Sequence, residues 1–80
     1  GAQTILVTGH TAAVGTIQSQ QELSVERAQR ITQELIDRGV SPGRLRYEGR
    51  GGREPVGDNT TDAGRARNRR VEIRLLSTGE

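Results

Sequence analysis

Apolar positions along the chain fall into two periods. At residues 4–9, TILVTG, they form a continuous β-branched run that stops at a glycine, the pattern of a short buried strand. Residues 10–22 are rich in Gly, Thr, Ser, Ala and Gln and read as a loop. From 23 to 39, LSVERAQRITQELIDRG, the period becomes helical, with Val25, Ala28, Ile31, Leu35 and Ile36 on one apolar stripe. Ser24 is placed as the N-cap, its hydroxyl accepting an orphan amide of the first turn, and Glu26 then meets the positive end of the helix dipole. Glu26–Arg30 and Glu34–Arg38 are spaced i,i+4 with the acid first. Gly39 supplies a left-handed C′ position, from which Val40 folds back on the last turn.

Beyond the helix, SPGR (41–44) is a turn and LRYEG (45–49) alternates as a half-buried strand does. Glycine, proline and an Asp-Asn pair make RGGREPVGDN (50–59) a loop. TTDAGRARNRR (60–70) has a Thr cap, an early Asp and late arginines, so a short helix is expected, with Gly64 counting against it. VEIRLL (71–76) alternates and is the last strand, and STGE is a frayed tail. The order strand, helix, strand, short helix, strand predicts an α+β fold. Its first two strands should be parallel, joined by a right-handed crossover.

Size sharpens this picture. Eighty residues make one small domain, and a domain of that scale buries only about 60% of its unfolded surface. The apolar fraction is 30% and Tyr47 is the one aromatic residue, so Ile, Leu, Val and Ala must build the core. That supply is lean. Together with an opening directly on a strand, it suggests a piece of a longer protein, which a further strand and helix upstream would complete as a two-layer sandwich. Absence of cysteine excludes disulfides and thiolate metal sites. No signal peptide is expected within these residues, and they hold no run of 18 apolar residues to cross a membrane as a helix.

Net charge is only +2, yet all twelve cations are arginine and they concentrate in the second half. Arginine's planar fork matches carboxylates and phosphates; the plain alternative is a solvated, arginine-biased surface. GRARNRR (64–70) packs four arginines into six positions, but no aromatic stacking platform lies nearby, so only phosphate tracking would remain for a nucleic-acid role. GHTAAVG (9–15) follows a strand but lacks phosphate-loop spacing. Its His10 is the only histidine, and no acid lies within ten positions of it. That leaves nucleophilic catalysis and a metal site without support. The bland role for His10 is to cap the strand end through local hydrogen bonds.

Five stretches together, VTGHTAAVG, QQELSVERA, LIDRGVSPGRL, EGRGGREP and GRARNRRVEI, resemble the OmpA C-terminal-like domain. That domain is the peptidoglycan-binding module of outer-membrane proteins, Pal-type lipoproteins and flagellar motor stator proteins. The match runs in order and at family spacing over nearly the whole chain. It implies a two-layer α+β sandwich, a small mixed sheet with helices on one face. Residues 1–80 would be the βαβαβ portion, without the family's first strand and helix.

The resemblance also implies a function: non-catalytic binding of the diaminopimelate stem peptide of peptidoglycan, in the periplasm, with the outer membrane or cell wall reached through the parent protein. No cofactor, metal, nucleic acid or direct membrane insertion is expected, and other envelope proteins are further candidate partners. The implied ligand residues are Thr11, Ala12, Gln20, Leu23, Arg27 and Arg70. Arg27, in the first turn of the expected helix, would pair its fork with the amide-rich helix end to receive a carboxylate. A solvated arginine is the bland reading, but a cation there opposes the helix dipole and asks for a reason. Thr11 would donate from the loop, and Arg70 would line the same pocket or pair with a buried acid. The family's aspartate in GHTD is Ala12 here, and its asparagine ahead of LS is Gln20. Loss of the ammonium's partner should weaken binding roughly ten- to a hundred-fold. The alternative is an OmpA-like domain that has lost its ligand and serves as a structural or protein-interaction unit.

Overall fold

The computed structural model describes residues 3–76. Strand β1 spans Thr4–Gly9 and helix α1 spans Ile17–Asp37. A 3₁₀ turn at Pro42–Arg44 leads into β2, Leu45–Gly49. Helix α2 covers Asp62–Asn68 and β3 covers Val71–Leu76. The sheet order is β2-β1-β3, with β1 parallel to β2 and antiparallel to β3. The mixed α+β sheet, the parallel first pair and all three strand boundaries agree with the expectations from sequence. The expected tail, 77–80, lies outside the described residues.

Register explains where the helix layer sits. Gly9 of β1 is paired with Gly49 of β2, and both lie under α1. A Cβ on Gly9 would fall 1.9 Å from the Ser24 carbonyl oxygen, and one on Gly49 would fall 2.3 Å from the Ser24 hydroxyl. The paired glycines therefore form a seat that lets the helix backbone touch the strands. Val7 and Ala28, both fully buried, continue this contact as the centre of a small core. Because α1 lies over β1 and β2, Ile73 and Leu75 of β3 stay more than half exposed.

The start of α1 differs from the expected one. Thr16, not Ser24, is the N-cap: its side chain accepts from the Ser19 amide at 3.0 Å, and residues 17–22 are helical, not loop. Glu26 is accordingly outside the first turn. Ser24 is wholly buried one face-length into the helix, where its Oγ donates to the Gln21 carbonyl (2.8 Å) and accepts from the Gly51 amide (2.9 Å). The buried face of α1 is Gln20, Ser24, Ala28 and Thr32, spaced by four, while Val25, Ile31, Leu35 and Ile36 are only half-buried beside it. A polar residue at a buried helical position has the same local signature as a cap, which is why pattern alone put the start too late.

The helix stops as expected. Gly39 has φ +103°, its amide donates to the Ile36 carbonyl, and the Val40 amide returns to the Leu35 carbonyl at 3.0 Å. Glu34 and Arg38 approach to 3.5 Å. In α2, capped by Thr61 as expected, Gly64 belongs to the helix because of its neighbours: a Cβ there would meet the Asp58 carbonyl oxygen at 1.9 Å. Its cost in helix propensity is offset by the close approach of the 57–58 loop. Asn68, fully buried, ties that loop down, accepting from the Val56 and Gly57 amides (2.7 and 2.8 Å) and donating to the Gly57 carbonyl (3.0 Å).

Candidate ligand-binding cleft

The loop after β1 is fastened on every side by backbone hydrogen bonds. His10 N–H donates to the Arg70 carbonyl and Thr11 N–H to the Gly51 carbonyl, each at 2.9 Å, so the loop joins those flanking β2 and β3. Val14 N–H turns back to the Ala12 carbonyl at 2.9 Å, and the Gln20 side-chain amide donates to the Gly15 carbonyl at 3.0 Å. Ala13 N–H reaches Asn59 Oδ1 (3.2 Å), which also accepts from Asn68 Nδ2 (2.7 Å). The loop is thus preformed and contributes no charge of its own.

Beside it lies a cleft of about 380 Å³. Thr11, Ala12, Gln20, Leu23 and Arg27 line it, five of the six residues named from the resemblance. Val14, Ser19, Arg65 and Arg69 complete the wall. The hydroxyl of Thr11, at 4% residue exposure, has no hydrogen-bond partner. A buried hydroxyl without a partner carries a desolvation cost.

Arg27 stands in this wall but not at the helix end. It lies ten residues beyond Ile17, about 15 Å along the axis, so the amides of the first turn are out of its reach. The expected pairing of fork and helix terminus is therefore replaced by another arrangement. Arg27 is half-buried, and its Nη1 donates to the His10 carbonyl at 3.1 Å, which aims it at the β1 loop. Burial first, then the neighbouring Arg69 and Arg30 cations, holds its pKa below the usual arginine value.

Arg65 is held by the Asn59 carbonyl (2.9 Å) and a salt bridge to Asp62. Arg69 is exposed and makes no side-chain hydrogen bond or salt bridge among the described residues. Arg65 and Arg69 are four apart on α2 and its cap, and that spacing is the sequence signal by which both could have been found.

Arg70, named with the site, turns away from it. Its Nε donates to Glu72 Oε2 at 2.8 Å and its Nη2 to the Glu54 carbonyl at 3.1 Å, and it does not line the cleft. The acid it pairs with is half-exposed, not buried. Residues 69 and 70 sit where α2 gives way to β3, so adjacent side chains leave on different sides. The GRARNRR cluster is therefore divided between the cleft, the Glu72 pair and, at Arg67, open solvent.

His10 also departs from expectation. It is 1% exposed, and neither ring nitrogen has a hydrogen-bond partner, so it makes no local side-chain cap. An acid distant in sequence is its nearest charged neighbour: Glu72 Oε1 lies 3.5 Å from Nε2. A second, larger hollow of about 660 Å³ flanks the start of α1 beside Gly51–Arg53. Its cation, Arg53, is already engaged by Gln21 Oε1 (3.2 Å) and the Arg50 carbonyl (3.0 Å), so the smaller cleft holds the free charge.

The description "OmpA family" belongs to the family model that matches residues 1–69. The chain belongs to the OmpA family. Outer membrane porin F of Pseudomonas fluorescens is 48% identical over 71 residues, 89% of this chain and 22% of the porin. The crystal structure of the peptidoglycan-associated lipoprotein from Burkholderia pseudomallei superposes with a TM-score of 0.88 at 27% identity, covering 92% of this chain and 63% of that one. The cell wall anchor of the type VI secretion system (T6SS) from Pseudomonas aeruginosa gives 0.79 at 39% identity, with 94% and 55% covered. This OmpA-like chain spans 22 to 39% of the length of the first curated relatives it matches. Those relatives are outer-membrane proteins and a lipoprotein, which gives the OmpA-like domain a cell-envelope setting. Among the described residues, no helix is long and apolar enough to cross a membrane.

Proposed function

We propose that this OmpA-like domain is a non-catalytic module that binds peptidoglycan in the periplasm, gripping a free carboxylate of the stem peptide with Arg27 as main anchor. One observation carries the reading. A part-buried guanidinium, tethered to the His10 carbonyl, converges on a cleft with the unpartnered hydroxyl of Thr11. A charge-assisted bond from Arg27 and a neutral one from Thr11 would satisfy both oxygens of a carboxylate. The names of the related lipoprotein and cell wall anchor, peptidoglycan-associated in one case, support the ligand class. With alanine at position 12, the ammonium of a diaminopimelate side chain has no carboxylate partner in the cleft. Affinity for that free zwitterion is then roughly ten- to a hundred-fold below a site that supplies one.

The test is retention on purified sacculi by the wild-type chain, Arg27→Ala and Ala12→Asp, each checked for folding by circular dichroism. Arg27→Ala should lose retention and Ala12→Asp should gain it. If all three fold and none is retained, the binding role is refuted and a structural or protein-interaction role takes its place.

A further inference from the structure

Every charged side chain that lines the cleft is a cation: Arg27, Arg65 and Arg69. The acids nearby act on Arg65 alone. Asp62 forms its salt bridge while pointing almost fully into solvent, and Asp58 is held below its ordinary carboxyl pKa by Thr60 chiefly, with Arg65 contributing. Arg27 and Arg69 line the cleft together, neither in a salt bridge among the described residues, and Arg27 is held by the neutral His10 carbonyl. Burial is the first cause of the fall in the Arg27 pKa, and the Arg69 cation adds to it. Of the Gln20 side chain, Nε2 donates to the Gly15 carbonyl and Oε1 lies against Gly52. The orphan Thr11 hydroxyl is buried in a residue that lines the same cleft.

An anion placed between Arg27 and Arg69 relieves their repulsion. An ammonium brought in alongside that anion meets two guanidiniums and no counter-charge, well inside a screening length of about 8 Å. Resting on the stem-peptide reading above, we propose that the ligand is a carboxylate without an accompanying free ammonium. The favoured form is a stem diamino acid whose side-chain amine is acylated, as in an amide cross-link, ahead of the free zwitterion.

The experiment titrates the full chain with two synthetic stem tripeptides ending in diaminopimelate. They are identical except that one carries a free side-chain amine and the other an N-acetylated one. The acetylated peptide should bind about fivefold more tightly, the scale of one part-exposed charge interaction. Arg69→Ala, at an exposed position, should shrink that ratio below about twofold, and Ala12→Asp should reverse it. Equal or tighter binding of the free-amine peptide by the wild-type chain overturns the proposal and leaves the carboxylate reading standing. A preference unchanged in Arg69→Ala overturns it as well, because the cation pair would not be its source. Binding of neither peptide by a folded wild-type chain overturns the stem-peptide reading itself.

Discussion

Ser24→Ala offers the sharpest check on how the cleft is held. The side chain is wholly buried, and its hydroxyl is the partner of the buried Gly51 amide at 2.9 Å. Alanine leaves that amide unsatisfied, at a cost of about 1–3 kcal/mol. Alanine's better helix propensity returns at most about 0.5 kcal/mol. The net loss is about 0.5–2.5 kcal/mol, which lowers Tm by roughly 2–20 °C in a domain of this size. The effect should also reach the ligand site. The carbonyl of the same Gly51 accepts the Thr11 amide at 2.9 Å, and Thr11 lines the cleft. Urea unfolding gives the stability change, and native-state amide exchange locates it. Exchange should speed up at Gly51 and Thr11, while the helical amides before residue 24 keep their protection. A residue capping a helix start would behave differently, with fraying confined to the turn that follows it. An unchanged urea midpoint with unchanged exchange at Gly51 would refute the chain of contacts from Ser24 to the cleft.

Two further outcomes follow from side chains remote from the ligand. Asn68→Ala removes the side chain that meets the Val56 and Gly57 amides and the Gly57 carbonyl, so a loss of about 2–3 kcal/mol is expected in urea unfolding; a change below about 0.5 kcal/mol would refute its role as the tie of the α2 loop. The hydrogen bond from Arg70, reinforced by the charge of that arginine, holds the Glu72 carboxyl below its ordinary value of 4.5. The folded state therefore binds fewer protons there than the unfolded chain. The stabilisation is complete above that value and is lost as pH falls through the lower folded one. The pair is half-exposed, so its worth is below about 1 kcal/mol. Glu72→Gln should flatten the acid limb of the stability curve between neutral pH and pH 3, and an unaltered limb would show that the pair contributes nothing.

Most local structure was legible because its causes are local. The runs TILVTG, LRYEG and VEIRLL became strands with the boundaries their alternation and glycines indicated. The Gly39–Val40 stop of α1 depends on a left-handed residue and its immediate neighbours, and it too was visible. The start of α1 was not. Ser24 has the chemistry of a cap, and only the paired glycines of β1 and β2 beneath it turn that position into a buried contact. The same limit appears in the cleft. Family resemblance pointed to Arg27 and the GHTAAVG loop, but the late helix start read from the pattern put the guanidinium at a helix end that lies about 15 Å away.

Sequence by itself determined the element order, the lean aliphatic core and the absence of charge in the loop after β1. Tertiary structure alone decided that Arg70 turns away from the cleft to Glu72, and that His10 meets the same acid. The reason is one of range. Periodicity and turn chemistry are written over a few residues, whereas a cation's direction depends on where a helix hands over to a strand and on which distant carboxylate is there to receive it.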